Sequence, residues 1–144
     1  ERAPILVARF NWDDAPARIT HEPPTPSWLA DLWTGETWAP TNGPVDLGET
    51  PAHGTRLLAV TSPRPHPQVI GSTLTLNGAE VISDTWDNGT LTITLRCAGH
   101  HEGELLITTT SGTLRHPVKL QNEATITVTL PATSWTSYAV NEER

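Results

Sequence analysis

From Val81 to Cys97 the chain reads VISDTW-DNG-TLTITLRC, and this stretch restricts the fold more than any other. Leu91, Ile93, Leu95 and Cys97 alternate with Thr90, Thr92, Thr94 and Arg96. Successive strand side chains point to opposite faces, so a period of two describes a sheet with one face buried and one wet. Asn88-Gly89 sits between the two runs, where a type I′ turn needs positive φ at both central residues. The pair therefore predicts a tight antiparallel hairpin. No stretch of the chain carries the apolar spacing of an amphipathic helix.

The same signature repeats along the second half. Gly71–Leu76, Ala79–Trp86, Thr90–Cys97, Glu104–Thr110, Thr113–Leu120, Ala124–Leu130 and Trp135–Val140 all read as strands. In the first half, Ile5–Trp12 reads as a strand with Leu6, Ala8, Phe10 and Trp12 on one face, ending at the turn cluster Asp13-Asp14-Ala15-Pro16. Ala17–Thr20, Ser27–Trp33 and Glu36–Ala39 read as further short strands, separated by Pro-rich and Gly-containing turns. PAHGTRLLAVT (Pro51–Thr61) is apolar on both faces at Leu57-Leu58-Ala59-Val60, which marks a central strand. Pro63, Pro65 and Pro67 then stiffen the connector Ser62–Pro67. About ten short strands, with turn signals roughly every 8 to 12 residues, describe an all-β antiparallel sandwich, Greek-key-like in connection. Residues 1–144 read as one such domain, and Ser62–Pro67 is the boundary if the halves are separate units.

Composition narrows the function classes. At 144 residues the chain has the size of one domain. It lacks the run of about 20 apolar residues that a membrane-spanning helix needs. A net charge of −7 argues against nucleic acid or an anionic membrane as partner, and leaves neutral sugars and proteins open. The chain begins Glu-Arg-Ala-Pro and contains no Met, which suggests a piece of a longer protein. No targeting signal is visible in it, so cytoplasmic and secreted locations both stay open. Cys97 is alone, which excludes an internal disulfide, and its place in a strand pattern reads as a small core hydrophobe.

Residues that could carry catalysis or hold a metal are not grouped in a recognisable way. Glycosidases use paired carboxylates, but neighbouring Asp13-Asp14 lies in a turn and reads as bonding turn amides. His100-His101-Glu102 is the densest His cluster, yet adjacent side chains on an extended chain diverge, so it reads as a solvated hairpin loop before Gly103. There is no nucleophile elbow and no Gly-rich phosphate loop. The expectation is a domain with no catalytic residues, no metal site and no cofactor.

The tryptophans weigh more. There are six, against one Phe and one Tyr. Trp12, Trp86 and Trp135 read as core fillers. Trp28, Trp33 and Trp38 fall in one loop-rich stretch, where strand alternation puts Trp28 and Trp33 on opposite faces. At least one of those two should therefore leave the core, to meet a loop, a neighbouring domain or a carbohydrate. Trp28, Trp33 and Trp38 are accordingly the candidate contact residues, with domain docking ranked ahead of sugar stacking.

Three segments in order carry a resemblance: VARFNWDDAPARI (Val7–Ile19), DLWTGE (Asp31–Glu36) and PAHGTRLLAV (Pro51–Val60). Together they resemble the C-terminal β-sandwich that follows the (β/α)₈ catalytic barrel in melibiase-type α-galactosidases and related glycoside hydrolases. The resemblance covers residues 5–61. GSTLTLNGAEV (Gly71–Val81) looks like an extension found in some relatives, though these often carry a His where this chain has Thr75. What the resemblance implies is a non-catalytic accessory module of a glycosidase, since the family's two catalytic Asp residues sit on barrel strands with no counterpart here. Its implied partner is the barrel of the same parent chain, which it would cap and stabilise, leaving an exposed apolar patch when the barrel is removed.

Two alternatives come from other classes. A free-standing carbohydrate-binding module predicts two or three coplanar exposed Trp rings. An immunoglobulin-like interaction domain predicts function in the loops at one end, without the Cys pair that is its best-known hallmark.

Overall fold

A computed structural model describes residues 5–76, 78–109 and 112–130. Among them there are ten strands and no helix: β1 (Ile5–Phe10), β2 (Ala17–His21), β3 (Trp28–Asp31), β4 (Thr37–Trp38), β5 (Val45–Thr50), β6 (Thr55–Thr61), β7 (Val69–Ser72), β8 (Val81–Asp87), β9 (Thr90–Thr109) and β10 (Gly112–Thr129). All pairings are antiparallel, and the fold is an all-β sandwich. The expected strand Trp135–Val140 lies outside the described residues.

The apolar run Leu57–Val60 occupies the middle of the first sheet, whose order is β1-β6-β3-β4. Directly paired residues of antiparallel strands share a face, and this assigns the two sides. Val7, Leu58 and Leu29 look toward Ile19, Val45 and Leu47 of the small β2-β5 sheet and form one core with them. Ala59, Ala30, Trp28 and Leu32 look the other way, onto Ile70 of β7 and Leu106 of β9. Leu58 and Ala59 are 0% and 2% exposed, so the centre of β6 is sealed on both sides. Close stacking of β7 on β3 depends on Gly71, where a Cβ would stand 2.9 Å from the Ala30 Cβ.

The second half is built on one long hairpin. Asn88 (φ 45°) and Gly89 (φ 90°) make the expected positive-φ turn between β8 and β9, with Asp87 paired to Thr90. The strands expected at Thr90–Cys97 and Glu104–Thr110 are instead the single strand β9, and those at Thr113–Leu120 and Ala124–Leu130 are largely the single strand β10. His100-His101-Glu102 is therefore part of a strand and not a hairpin loop. The reason is a bend that keeps the pairing: the register jumps from His100↔Gln121 to Cys97↔Asn122, and Gly99 and Asn122 take φ of +92° and +63°. The Gly99 N–H donates to Asn122 Oδ1 at 2.9 Å across the corner. Leu91, Ile93 and Leu95 from one side of the bend then pack with Leu105, Ile107, Val118 and Leu120 from the other. One ribbon thus folds over its own core, as strands that pass between packed sheets do. Pro117 is accommodated because β10 pairs only with β9 among the described residues.

β7 is shorter than the expected Gly71–Leu76. Glu80, only 2% exposed, accepts the hydroxyls of Ser72 (2.5 Å) and Thr75 (2.7 Å), and residues 73–76 curl around it instead of extending the strand.

Candidate functional site

The three segments that carry the resemblance converge on one end of the first sheet. β1 and β3 flank β6 and are both antiparallel to it, so they run in the same direction and Trp12 and Trp33 leave the sheet at the same end. Each of these residues is preceded by a buried polar anchor.

Asn11, 4% exposed, is the first anchor. Its Nδ2 donates to the carbonyls of Ala15 (2.9 Å), Thr50 (3.0 Å) and Pro51 (3.0 Å), and its Oδ1 accepts the Asp13 N–H at 3.0 Å. The Asn11 N–H donates to Gly54 O. This one amide therefore ties the Asp13–Ala15 turn to the Pro51–Gly54 turn. The turn-bonding role expected of Asp13 and Asp14 falls to Asn11, while Asp14 pairs with His53 at 2.8 Å.

The second anchor is Asp31, 1% exposed. Its Oδ1 accepts the N–H groups of Trp33 (2.8 Å) and Thr34 (3.1 Å), and its Oδ2 takes Arg56 Nη1 at 3.1 Å. Arg56 also reaches Glu36 at 2.7 Å and lies over the Trp38 ring at 5.9 Å. Desolvation works against the Arg56 charge, but the hydrogen bonds it donates to Glu36 and Asp31 outweigh it and hold the guanidinium's pKa above its usual value. The conspicuous Asp-Leu-Trp-Thr-Gly-Glu and His-Gly-Thr-Arg residues are thus explained as a structural knot. Gly35, at φ +77°, completes the turn beside the Arg115 guanidinium, and Arg115 Nη2 donates to Thr34 O.

With these anchors in place, the candidate tryptophans take three different positions. Trp28 is buried at 3% exposure between the first sheet and the second half. Trp38 is half-buried under Arg56. Trp33 stands out at 52%. β3 ends at Asp31, short of the expected Ser27–Trp33, and is buried on both faces. Trp33 is exposed because it lies in the turn that follows and not by strand alternation. The structure does not gather the three into one surface.

The larger exposed surface comes from β1. Leu6, Ala8 and Phe10 share a face with Ala59 and Leu57, but β7 and β9 cover that face only over β3 and β6. Leu6 and Phe10 are left 40% and 49% exposed, with Ala8 exposed between them, while Ile5 is exposed on the opposite face. Trp12, expected in the core, is 78% exposed and stacks on Phe10 at 5.1 Å with an interplanar angle of 26°. The inward residue of β1 is Val7. Both faces of ILVARF are apolar, so the sequence pattern offers no way to choose which one the core takes. Trp86 is half-buried against the second core, and Trp135 lies outside the described residues.

The clustered histidines of the second half pair locally. His100 meets Glu102 at 2.8 Å, and His101 meets the Ala98 carbonyl at 2.9 Å and the half-buried Cys97 Sγ at 3.4 Å. Among the described residues, no three His, Cys, Asp or Glu side chains are grouped closely enough to hold a metal ion. His21 is held below its ordinary pKa, chiefly by burial and then by Arg9, whose Nε donates to His21 Nδ1 at 3.1 Å. Comparison with family models, with curated proteins and with solved structures finds no significant match for this chain.

Proposed function

We propose that this chain is a non-catalytic accessory module of a glycoside hydrolase of the α-galactosidase type, and that it docks on a catalytic (β/α)₈ barrel through the outer face of β1. One observation carries the reading. β1 belongs to a packed sheet, yet presents Leu6, Ala8 and Phe10 to solvent along one face, with exposed Trp12 stacked on Phe10 at its end. Contiguous exposed apolar surface of this kind is characteristic of an interface, and a stacked aromatic pair is a typical interface anchor. The order of the Asn-Trp, Asp-Leu-Trp-Thr-Gly and His-Gly segments, which resembles that family, supports this choice of partner.

The carbohydrate-module alternative asks for coplanar exposed rings. Trp28 is buried, Trp38 is covered by Arg56, Trp86 is half-buried against the core, and the Phe10 and Trp12 rings are stacked on each other, so among the described residues Trp33 is left for that role.

The test is a double variant, Phe10→Ser with Trp12→Glu, made in the isolated chain and in the full-length gene product. Both side chains are largely exposed, so the isolated chain should keep its melting temperature to within about 0.5 kcal/mol of stability. In the full-length product the same pair should lower the barrel's melting temperature and release the module to protease. Equal behaviour in both contexts would refute docking through β1.

A further inference from the structure

A cleft of about 340 Å³ opens between the first sheet and the second half of the chain, at the lower end of the roughly 300–1,000 Å³ of small-molecule sites. Ile5, Val60, Ile70 and Val81 give it apolar walls, and β8 contributes an unbroken run, Val81–Thr85. Among the described residues β8 pairs only with β9, and none of them forms a strand on its other edge.

Arg64 and Asp84 belong to the same lining. Their Nη1 and Oδ1 atoms stand 3.6 Å apart, beyond hydrogen-bond reach, with the side chains 28% and 14% exposed. The guanidinium makes no hydrogen bond among the described residues. The Arg64 backbone and the Asp84 carboxylate are both held from behind. Fully buried Gln68 accepts the Arg64 N–H at 2.8 Å and donates to Ser62 O at 3.0 Å, closing the proline-stiffened connector on itself. Asp84 Oδ2 accepts the Val69 N–H at 2.9 Å, which leaves Oδ1 on the Arg64 side.

The result is a loose ion pair, with an anchored carboxylate and a guanidinium free to turn toward a ligand, on the wall of an apolar cleft. Their charges cancel, which favours a neutral ligand over an ion. A molecule with hydroxyls on adjacent carbons answers both groups at once, and its C–H face suits the aliphatic walls. We propose that this cleft binds a neutral polyol of monosaccharide size, with Arg64 donating to one hydroxyl oxygen and Asp84 Oδ1 accepting from the next. The site shares no residue with the exposed Leu6, Ala8 and Phe10 face of β1, since Ile5 lies on the other side of the strand, and does not rest on the docking reading.

The test is a titration of the isotope-labelled chain with galactose, glucose, mannose and inositol, followed by backbone amide shifts up to concentrations on the order of 10 mM. At least one polyol should give saturable shifts confined to Thr61–Arg64, Val69–Ser72 and Val81–Thr85. Arg64→Met, at a guanidinium that makes no hydrogen bond among the described residues, leaves Asp84 without its ion-pair partner and so lowers the melting temperature. Below that temperature the folded chain should keep its amide spectrum and bind the polyol roughly tenfold or more weakly. Asp84→Asn, which keeps an acceptor for Val69, should also weaken it. The proposal is overturned if no polyol shifts these amides, if the shifts gather at Trp33 instead, or if Arg64→Met leaves affinity unchanged. Tighter binding of glucuronate than of glucose would also overturn it, because Arg64 alone would then be reading an anion.

Discussion

Replacing Asp31 with Ala removes the carboxylate that holds the Asp31–Glu36 turn and faces Arg56. Asp31 is 1% exposed and the Arg56 side chain 11%. Breaking a buried ion pair by deleting one partner costs about 3–5 kcal/mol, because the survivor is left desolvated. Arg56 keeps Glu36 at 2.7 Å and weaker contacts to Thr50 Oγ1 and Glu49 O at 3.3 Å, which places the cost at the lower end. The N–H groups of Trp33 and Thr34 lie in a part-buried turn that water can reach, so their loss adds little. The expected cost is about 3 kcal/mol, or a fall in melting temperature of roughly 10 °C for a domain of this size. Urea unfolding followed by far-ultraviolet circular dichroism measures it as a lower midpoint at unchanged slope. Asp31→Asn keeps a carbonyl acceptor for the turn amides and should cost less. Adding Arg56→Met to Asp31→Ala should recover about 1–2 kcal/mol, since no orphaned cation remains. A cost below about 1 kcal/mol for Asp31→Ala, or no recovery in the double variant, would refute the view that this motif is held by its buried charge pair.

Three further outcomes follow from the packing. Gly71→Ala sets a methyl 2.9 Å from the Ala30 Cβ and should cost about 1–3 kcal/mol in thermal unfolding by forcing the first sheet and the second half apart. Gly99→Ala forces an L side chain to φ +92° at the ribbon corner, and chemical denaturation should register a loss of about 1–2 kcal/mol. The His21 pKa is lowered in the fold, so the unfolded chain takes up its proton first and stability falls as pH drops below 6.5. His21→Gln should flatten that part of a stability-versus-pH profile, and an unchanged slope would show that other groups set it.

Much of the architecture was legible because two signals each have a single physical reading. Alternation from Thr90 to Cys97 permits only a half-buried strand, and Asn88-Gly89 permits a positive-φ turn that few other pairs tolerate. Leu57–Val60 similarly announced a strand covered on both sides, and Leu58 and Ala59 are so covered. The failures share one cause, which is that local pattern carries no information on distant packing. Gly99 and the His pair look like a loop, but a left-handed Gly opposite a left-handed Asn122 bends a strand without ending it. In β1 the apolar residues lie on both faces, and only the placement of β7 and β9 decides that Val7 goes in and Phe10 stays out. Trp12 was misplaced for the same reason. The Arg64–Asp84 pair had no signal at all, since the two residues lie on different elements brought together by the connector.

The most direct test of the docking account is hydrogen–deuterium exchange across Ile5–Trp12, compared between the isolated chain and the full-length gene product. The account predicts a barrel in that product, and slower exchange in β1 and the Asp13–Ala15 turn when it is present, with the β8–β10 ribbon unchanged. Identical exchange of β1 in both forms, or a gene product without a barrel, would contradict it.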